Sequence, residues 1–174
     1  MRPTAELSDV TTDAYRWGSL ALAIATAVIL AALAFEHIGG YIPCPLCLQQ
    51  RYAYYAGIPA LFVALALAGE KPRLSGLLFG AVALAFFANA ILGAYQAGAE
   101  WKFWPGPETC SGEIATPATT GDLLKGLAGT QAIRCDEASW RLFGLSFAGW
   151  NVVVSLILML IGLQAGFAAI RRDE

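Results

Sequence analysis

Hydrophobic positions gather into four long stretches without a charged side chain, residues 17–35, 52–69, 74–99 and 142–170, and the charges crowd into the segments between them. Crossing about 30 Å of hydrocarbon takes roughly 17 to 25 helical residues, so each stretch is long enough to span a bilayer. The third and fourth run on into the interface. The pattern predicts membrane-spanning helices over residues 17–36, 50–69, 74–97 and 145–170, within a single membrane domain that takes in residues 1–174. The first stretch does not read as a cleaved signal peptide, because Glu6, Asp9 and Asp13 precede it, it is too long, and no A-x-A site follows.

Composition sharpens this picture. Apolar residues make up 57% of the chain and charged residues 14%, against roughly 25% charged in an ordinary soluble domain. Mean hydropathy is +0.58. A domain of about 150 residues leaves some 30% of its unfolded surface exposed, too much for this composition to tolerate in water. The net charge of −2 and the scattered basic residues exclude the basic footprint of a nucleic-acid binder.

Four crossings put both termini on one side of the membrane. Arg2, Arg16, Lys71, Arg73, Arg171 and Arg172 lie on that side, most of them close to span ends, where basic residues set topology. Lys102, Lys125, Arg134 and Arg141 are instead diluted in the long segment 98–144, among several acids. The termini are therefore expected in the cytoplasm. Short connections force antiparallel neighbours, giving an all-α, up-down-up-down four-helix bundle with two loops on the far side, 37–49 and 98–144. Gly57, Gly76, Gly80, Ala83 and Gly93 recur at helix-contact spacing, and Asn89 reads as an interhelical hydrogen bond. Trp17, Trp101, Trp104, Trp140 and Trp150 fall near span ends and read as interfacial anchors. In the long loop, Trp104–Pro107 is turn chemistry. Residues 122–133, with Leu123, Leu124, Leu127 and Ile133 near one face and Thr119-x-x-Asp122 as a cap, form a candidate short interfacial helix.

All four cysteines then fall on the non-cytoplasmic side, Cys44 and Cys47 in the first loop, Cys110 and Cys135 in the second. Disulfides persist outside the reducing cytosol. Four cysteines allow three pairings, of which Cys44–Cys47 with Cys110–Cys135 is the simplest. A zinc site is disfavoured because only one pair has knuckle spacing, and no metal is expected. A structural staple fits Cys110–Cys135, worth about 3 kcal/mol in the chain-entropy account, but Cys44–Cys47 closes almost no loop. Reversible dithiol chemistry suits that pair better. Pro45 is placed for the first helical position, so the cysteines meet a helix N-terminus, whose dipole favours a thiolate. Arg51, four residues after Cys47, falls on the same helical face, where a permanent cation is expected to lower the Cys47 thiol pKa and raise its reactive fraction; the alternative is a cation snorkelling at a span end. Two pairs on one side suggest a thiol relay. No haem, dinucleotide or iron–sulfur pattern offers the electrons a way out, which leaves a quinone dissolved in the membrane.

Several ordered motifs resemble the DsbB family of disulfide bond formation proteins. They are Phe35-Glu36-His37, Pro43-Cys44-Pro45-Leu46-Cys47-x-x-x-Arg51, Tyr95 ahead of Trp104-x-Gly-Pro-x-x-Cys110, then Cys135, Trp140-x-x-Phe143-Gly144 and Trp150-Asn151, running over all four spans and both loops. The resemblance implies a multi-pass protein of the bacterial inner membrane with periplasmic cysteine loops. It further implies that the protein reoxidises a thioredoxin-fold partner of the DsbA type and passes electrons to ubiquinone or menaquinone. By the same resemblance Cys110 forms the mixed disulfide with the partner, Cys135 is its loop mate that transiently pairs with Cys44, Cys47 is the thiolate that engages the quinone, and Arg51 stabilises that complex. One departure stands out. Many relatives carry a histidine after the third-span tyrosine, whereas this chain reads Tyr95-Gln96-Ala97. Gln96 can hydrogen-bond but cannot titrate. His37, the single histidine, is the other candidate for the quinone site, with a solvated loop residue as its plain reading.

A quinone enzyme resembling vitamin K epoxide reductase is the nearest rival, but in that family the C-x-x-C comes late in the chain. A disulfide-stapled or metal-handling membrane subunit is the non-enzymatic alternative. Orientation is directly testable: on intact spheroplasts, after reduction, an impermeant thiol label should reach Cys110 and Cys135, while a tag after Glu174 stays protected. The opposite pattern would place the cysteine loops in the cytosol and remove the basis for disulfide chemistry.

Overall fold

The computed structural model describes residues 4–106, 138 and 140–171, with side chains from residue 12 onward. Among the described residues four helices carry the fold: α1 (Thr4–His37), α2 (Pro45–Leu67), α3 (Pro72–Glu100) and α4 (Phe147–Arg171). The predicted interfacial helix at 122–133, Cys110 and Cys135 lie outside the described residues. The stretches Thr12–His37, Pro72–Glu100 and Phe147–Arg171 are long and apolar enough to cross a membrane. Helix α2 falls short of that measure, because its first turns carry Gln49, Gln50, Arg51 and the tyrosines 52, 54 and 55, and only its second half is continuously apolar.

Many large apolar side chains face outward, and small residues occupy much of the surface where helices meet. Leu77, Leu84 and Ile91, seven residues apart along α3, are exposed, as are Leu30 on α1 and Phe167 on α4. Ala14, Ala21 and Ala25 form the buried stripe of α1, and Ala165 and Ala169 that of α4. Lipid tails offer leucine the same surroundings as a neighbouring helix does, so packing falls to residues that let backbones approach. The α3–α4 contact shows the rule: a Cβ on Gly76 would lie 3.2 Å from the Gly166 carbonyl oxygen, and one on Gly166 would lie 3.2 Å from that of Gly76. Gly80, grouped with the contact glycines by spacing, instead faces open space. Asn89 does bridge helices, donating to Ser155 Oγ at 3.0 Å. Phe79, Phe86, Leu61 and Leu158 fill the centre.

The helix ends depart from the predicted spans in ways that matter for the site. α3 continues beyond residue 97 to Glu100 and stops where Lys102 takes a positive φ of 62°. Trp104 folds back, stacks on Tyr95 and donates from Nε1 to the Tyr95 carbonyl at 2.9 Å. Ahead of α4, strands β1 (Arg141–Leu142) and β2 (Leu145–Ser146) pair antiparallel, Leu142 opposite Leu145. The fourth predicted span therefore begins too early at residue 145. Apolar Leu142, Phe143 and Leu145 disguise the hairpin. Its signal is the two-residue turn Phe143-Gly144, with φ of 52° and 83°, the positive-φ pair that a tight hairpin requires. The Ser146 hydroxyl then caps α4 by accepting from Gly149 N at 3.2 Å.

The two glycine environments give a paired test. Gly76→Val should lower thermal stability in detergent, by about 1–3 kcal/mol as overpacking does, whereas Gly80→Ala should leave the melting temperature unchanged or raise it. Equal effects at both positions would contradict the α3–α4 packing described above.

Candidate active site

The first loop delivers Cys44 to the N-terminus of α2. Pro45 opens the helix, as its fixed φ and missing N–H predict, and Cys44 is the cap, with φ −75° and ψ 163°. Its Sγ accepts from the Cys47 backbone N–H at 3.2 Å. The C-x-x-C spacing is what makes this possible, since it brings the residue two past the first helical position beneath the capping sulfur. Neither thiol is in a disulfide here.

Gln96, one turn before the end of α3, reaches both sulfurs. Its Nε2 lies 3.5 Å from Cys44 Sγ and 3.3 Å from Cys47 Sγ, and also 3.3 Å from Glu100 Oε1. Its Oε1 accepts from Gln50 Nε2 at 2.6 Å. The chain of amides goes on: Asn151 Nδ2 donates to Gln50 Oε1 at 2.6 Å, and Tyr54 Oη donates to Asn151 Oδ1 at 2.8 Å. A polar rack therefore ties α2, α3 and α4 together next to the cysteines, in a setting where an unpaired amide would be costly.

Both cysteines precede the predicted membrane stretch of α2, and their environments differ. Hydrogen bonding with Cys47, followed by burial, pushes the Cys44 thiol up. The Cys44 contact and, after burial's opposing effect, the Gln96 amide draw Cys47 down. One buried site holds one negative charge more easily than two, and the two environments favour the charge on Cys47 over Cys44.

The pair opens onto a cavity of about 410 Å³, walled by all four helices, the first loop and the hairpin, within the range usual for small-ligand sites. Phe35, Trp140 and Phe147 form one aromatic side of it, with Trp140 and Phe147 stacked at 4.8 Å and 21°. Trp140 and Trp150 thus line the cavity in place of the simple anchoring expected of them. Trp150 also donates from Nε1 to the Leu142 carbonyl at 3.2 Å, fixing the hairpin to α4.

Of the residues singled out from the sequence, Cys44, Cys47, Arg51 and Gln96 meet at this cavity. Arg51 keeps the helical register with Cys47, but its guanidinium is hydrogen-bonded to Glu36 of α1. The Cys47 sulfur accepts from Gln96 Nε2, and the Cys47 backbone N–H donates to Cys44 Sγ. His37 ends α1 and is not among the residues lining the cavity. Glu36 and Glu100 were the acidic residues that motif reading passed over. Glu36 sat inside a quoted motif, while Glu100 is four residues after Gln96 and could have been found by helical register alone.

Replacing the central amide should expose its role. Gln96→Leu removes the amide that Gln50 Nε2 and Glu100 Oε1 bond to, so a destabilisation of about 1–3 kcal/mol is expected, together with slower alkylation of Cys47 at neutral pH. Thermal unfolding and mass-resolved alkylation of the reduced protein measure both. Wild-type alkylation rates in a folded Gln96→Leu protein would remove Gln96 from the account of thiol reactivity.

Comparison with known proteins identifies the family. A family profile described as "Disulfide bond formation protein DsbB" matches residues 15–165. Proteins named disulfide bond formation protein B are similar to it across most of their length. The one from Methylococcus capsulatus is 33% identical over 75% of this chain and 80% of its own, and that from an Acidovorax species is 32% identical over 83% and 87%. The Xylella fastidiosa protein is 29% identical over 84% and 86%. No solved structure matches the chain. With a profile that covers the helices, the capped C-x-x-C and its cavity, the chain belongs to the DsbB family of disulfide bond formation proteins.

Proposed function

We propose that this protein is a protein-dithiol:quinone oxidoreductase of the bacterial inner membrane. It reoxidises a periplasmic thioredoxin-fold partner of the DsbA type and delivers the electrons to ubiquinone or menaquinone. The observation that carries the reading is the Cys44–Cys47 pair opening directly into an apolar, aromatic-sided cavity at the end of the bundle. Family membership supports the disulfide chemistry. The bundle crosses the membrane four times, α2 included, with both termini cytoplasmic and the cysteine loops periplasmic.

The residues present fit a quinone. Flat aromatic side chains and apolar α1 positions such as Ile29 suit a planar ring, and Arg51 and Gln50 supply donors for its oxygens. The side chain of Arg51 is 12% exposed and ion-paired to Glu36, so it is held at the cavity wall before any ligand arrives. A bound quinone supplies the two-electron acceptor. Cys47 provides the thiolate facing it, stabilised by hydrogen bonds that cost no rearrangement at the moment of reaction. Cys44, still protonated, is the sulfur that closes the pair. Exchange with the partner falls to Cys110, with Cys135 as its loop mate, and Cys135 hands the reducing equivalents on by pairing transiently with Cys44.

Anaerobic mixing with reduced DsbA-type partner and a soluble quinone tests the reading. Serine at Cys44 or Cys47 should abolish quinone reduction. Serine at Cys110 or Cys135 should abolish turnover with the partner and leave the first pair reactive toward small dithiols. Arg51→Ala should raise the apparent quinone KM while the pH dependence of Cys47 alkylation moves little, since Gln96 and Cys44 make its hydrogen bonds. Full partner-driven turnover in Cys110→Ser would overturn the relay.

A further inference from the structure

Glu100, the last residue of α3, is 7% exposed and lines the same cavity as the cysteines. Its Oε1 accepts from Gln96 Nε2; among the described residues its Oε2 makes no hydrogen bond of normal geometry and no ion pair reaches it, although the Ser146 hydroxyl faces the carboxyl. A buried carboxyl with a bare oxygen is expensive to keep. One carboxamide nitrogen links it to the reacting atoms, at 3.3 Å from Glu100 Oε1, 3.3 Å from Cys47 Sγ and 3.5 Å from Cys44 Sγ.

The chemistry of the pair has an unfilled role that matches this group. As a disulfide forms, the Cys44 thiol must lose its proton, and it is buried away from bulk water. Gln96 cannot accept a proton. Glu36 is engaged by Arg51, and His37 is not among the cavity-lining residues. The α4 residues that line the cavity carry no ionisable side chain. From the hairpin, the Ser146 hydroxyl and the Arg141 charge face the carboxyl.

We propose that Glu100 is the proton carrier of the Cys44–Cys47 pair, taking the Cys44 proton across the cavity that both side chains line, as the sulfur–sulfur bond forms, and releasing it there. This inference rests on the quinone reading above and deepens it. Cys44–SH and the Cys47 thiolate become one S–S bond. The electron pair passes to the quinone, which is reduced to the quinol by taking up the Cys44 proton through Glu100 and a second proton from water. Glu100 returns to the carboxylate.

The test uses the full-length protein in nanodiscs. In Glu100→Gln, quinone reduction should fall at least tenfold in kcat with the quinone KM within about twofold, since positioned proton transfer contributes typically 10²–10⁴-fold. In Glu100→Ala, added formate should restore turnover in proportion to its concentration. A second measurement needs no quinone: the pH dependence of alkylation of the reduced pair should show an ionisation step in the wild type that Glu100→Gln lacks. The groups near enough to contribute other steps include Cys44, Cys47, Glu36, Tyr41, Arg51, Tyr54 and Arg141, all of which the variant retains. A kcat within twofold of wild type in Glu100→Gln, a Glu100→Ala loss that formate does not relieve, or superimposable alkylation profiles would each overturn the proposal. If the quinone reading itself is wrong, the wild-type protein will fail to reduce quinone, while the alkylation profiles still report on Glu100.

Discussion

The Gln96 carboxamide is the contact on which this site depends. It lies against both sulfurs, against Gln50 and against Glu100, so the end of α3 and the start of α2 cannot shift independently. In a bundle whose helices meet through alanine and glycine, non-directional packing fixes spacing better than it fixes rotation. Directional bonds set the rotation. The Gln96–Gln50–Asn151–Tyr54 series supplies them across α2, α3 and α4, close to where the cysteines need to be oriented. The same bonds that align the helices therefore prepare the thiolate.

Asymmetry between the two sulfurs follows from local backbone chemistry. Cys44 is a helix cap and Cys47 lies in the first turn, so a single proline-led helix start gives them different partners. Burial then forbids two adjacent charges. The outcome is two cavity-lining sulfurs in unlike settings, Cys47 the more readily charged of the two. The aromatic side of the cavity depends on a separate device, the β1–β2 hairpin, whose turn brings Trp140 back over Phe35 and Phe147.

How far the sequence could be read depended on range. Long uncharged runs announced the helices because hydrocarbon demands length and apolarity, and Cys44-Pro45-x-Cys47 announced a capped helix start because the cap is local. Asn89 was legible too, since a lone amide at mid-membrane needs a partner on another helix. The hairpin was hidden because Leu142, Phe143 and Leu145 are as apolar as the span they precede; only backbone φ at Phe143 and Gly144 separates them from it. The Arg51–Glu36 pair was hidden because it joins two helices that spacing along one helix cannot relate. Gln96 was seen as a departure from its relatives, yet its contact with both sulfurs and with Glu100 depends on α3 running past residue 97. Gly80 misled for a related reason, because small-residue spacing is satisfied on two faces of a helix and only one of them meets a neighbour.

The central claim is that the cavity beside Cys47 is where the dithiol meets its electron acceptor. Photo-crosslinking with an azido-quinone, followed by peptide mapping, tests it most directly. The account predicts label on the α1 and α2 peptides that carry Phe35 and Arg51 and on the segment from Trp140 to Trp150, with competition by unlabelled quinone. Label concentrated instead on the outward positions Leu77, Leu84 and Ile91 of α3, or label that unlabelled quinone does not displace, would contradict it.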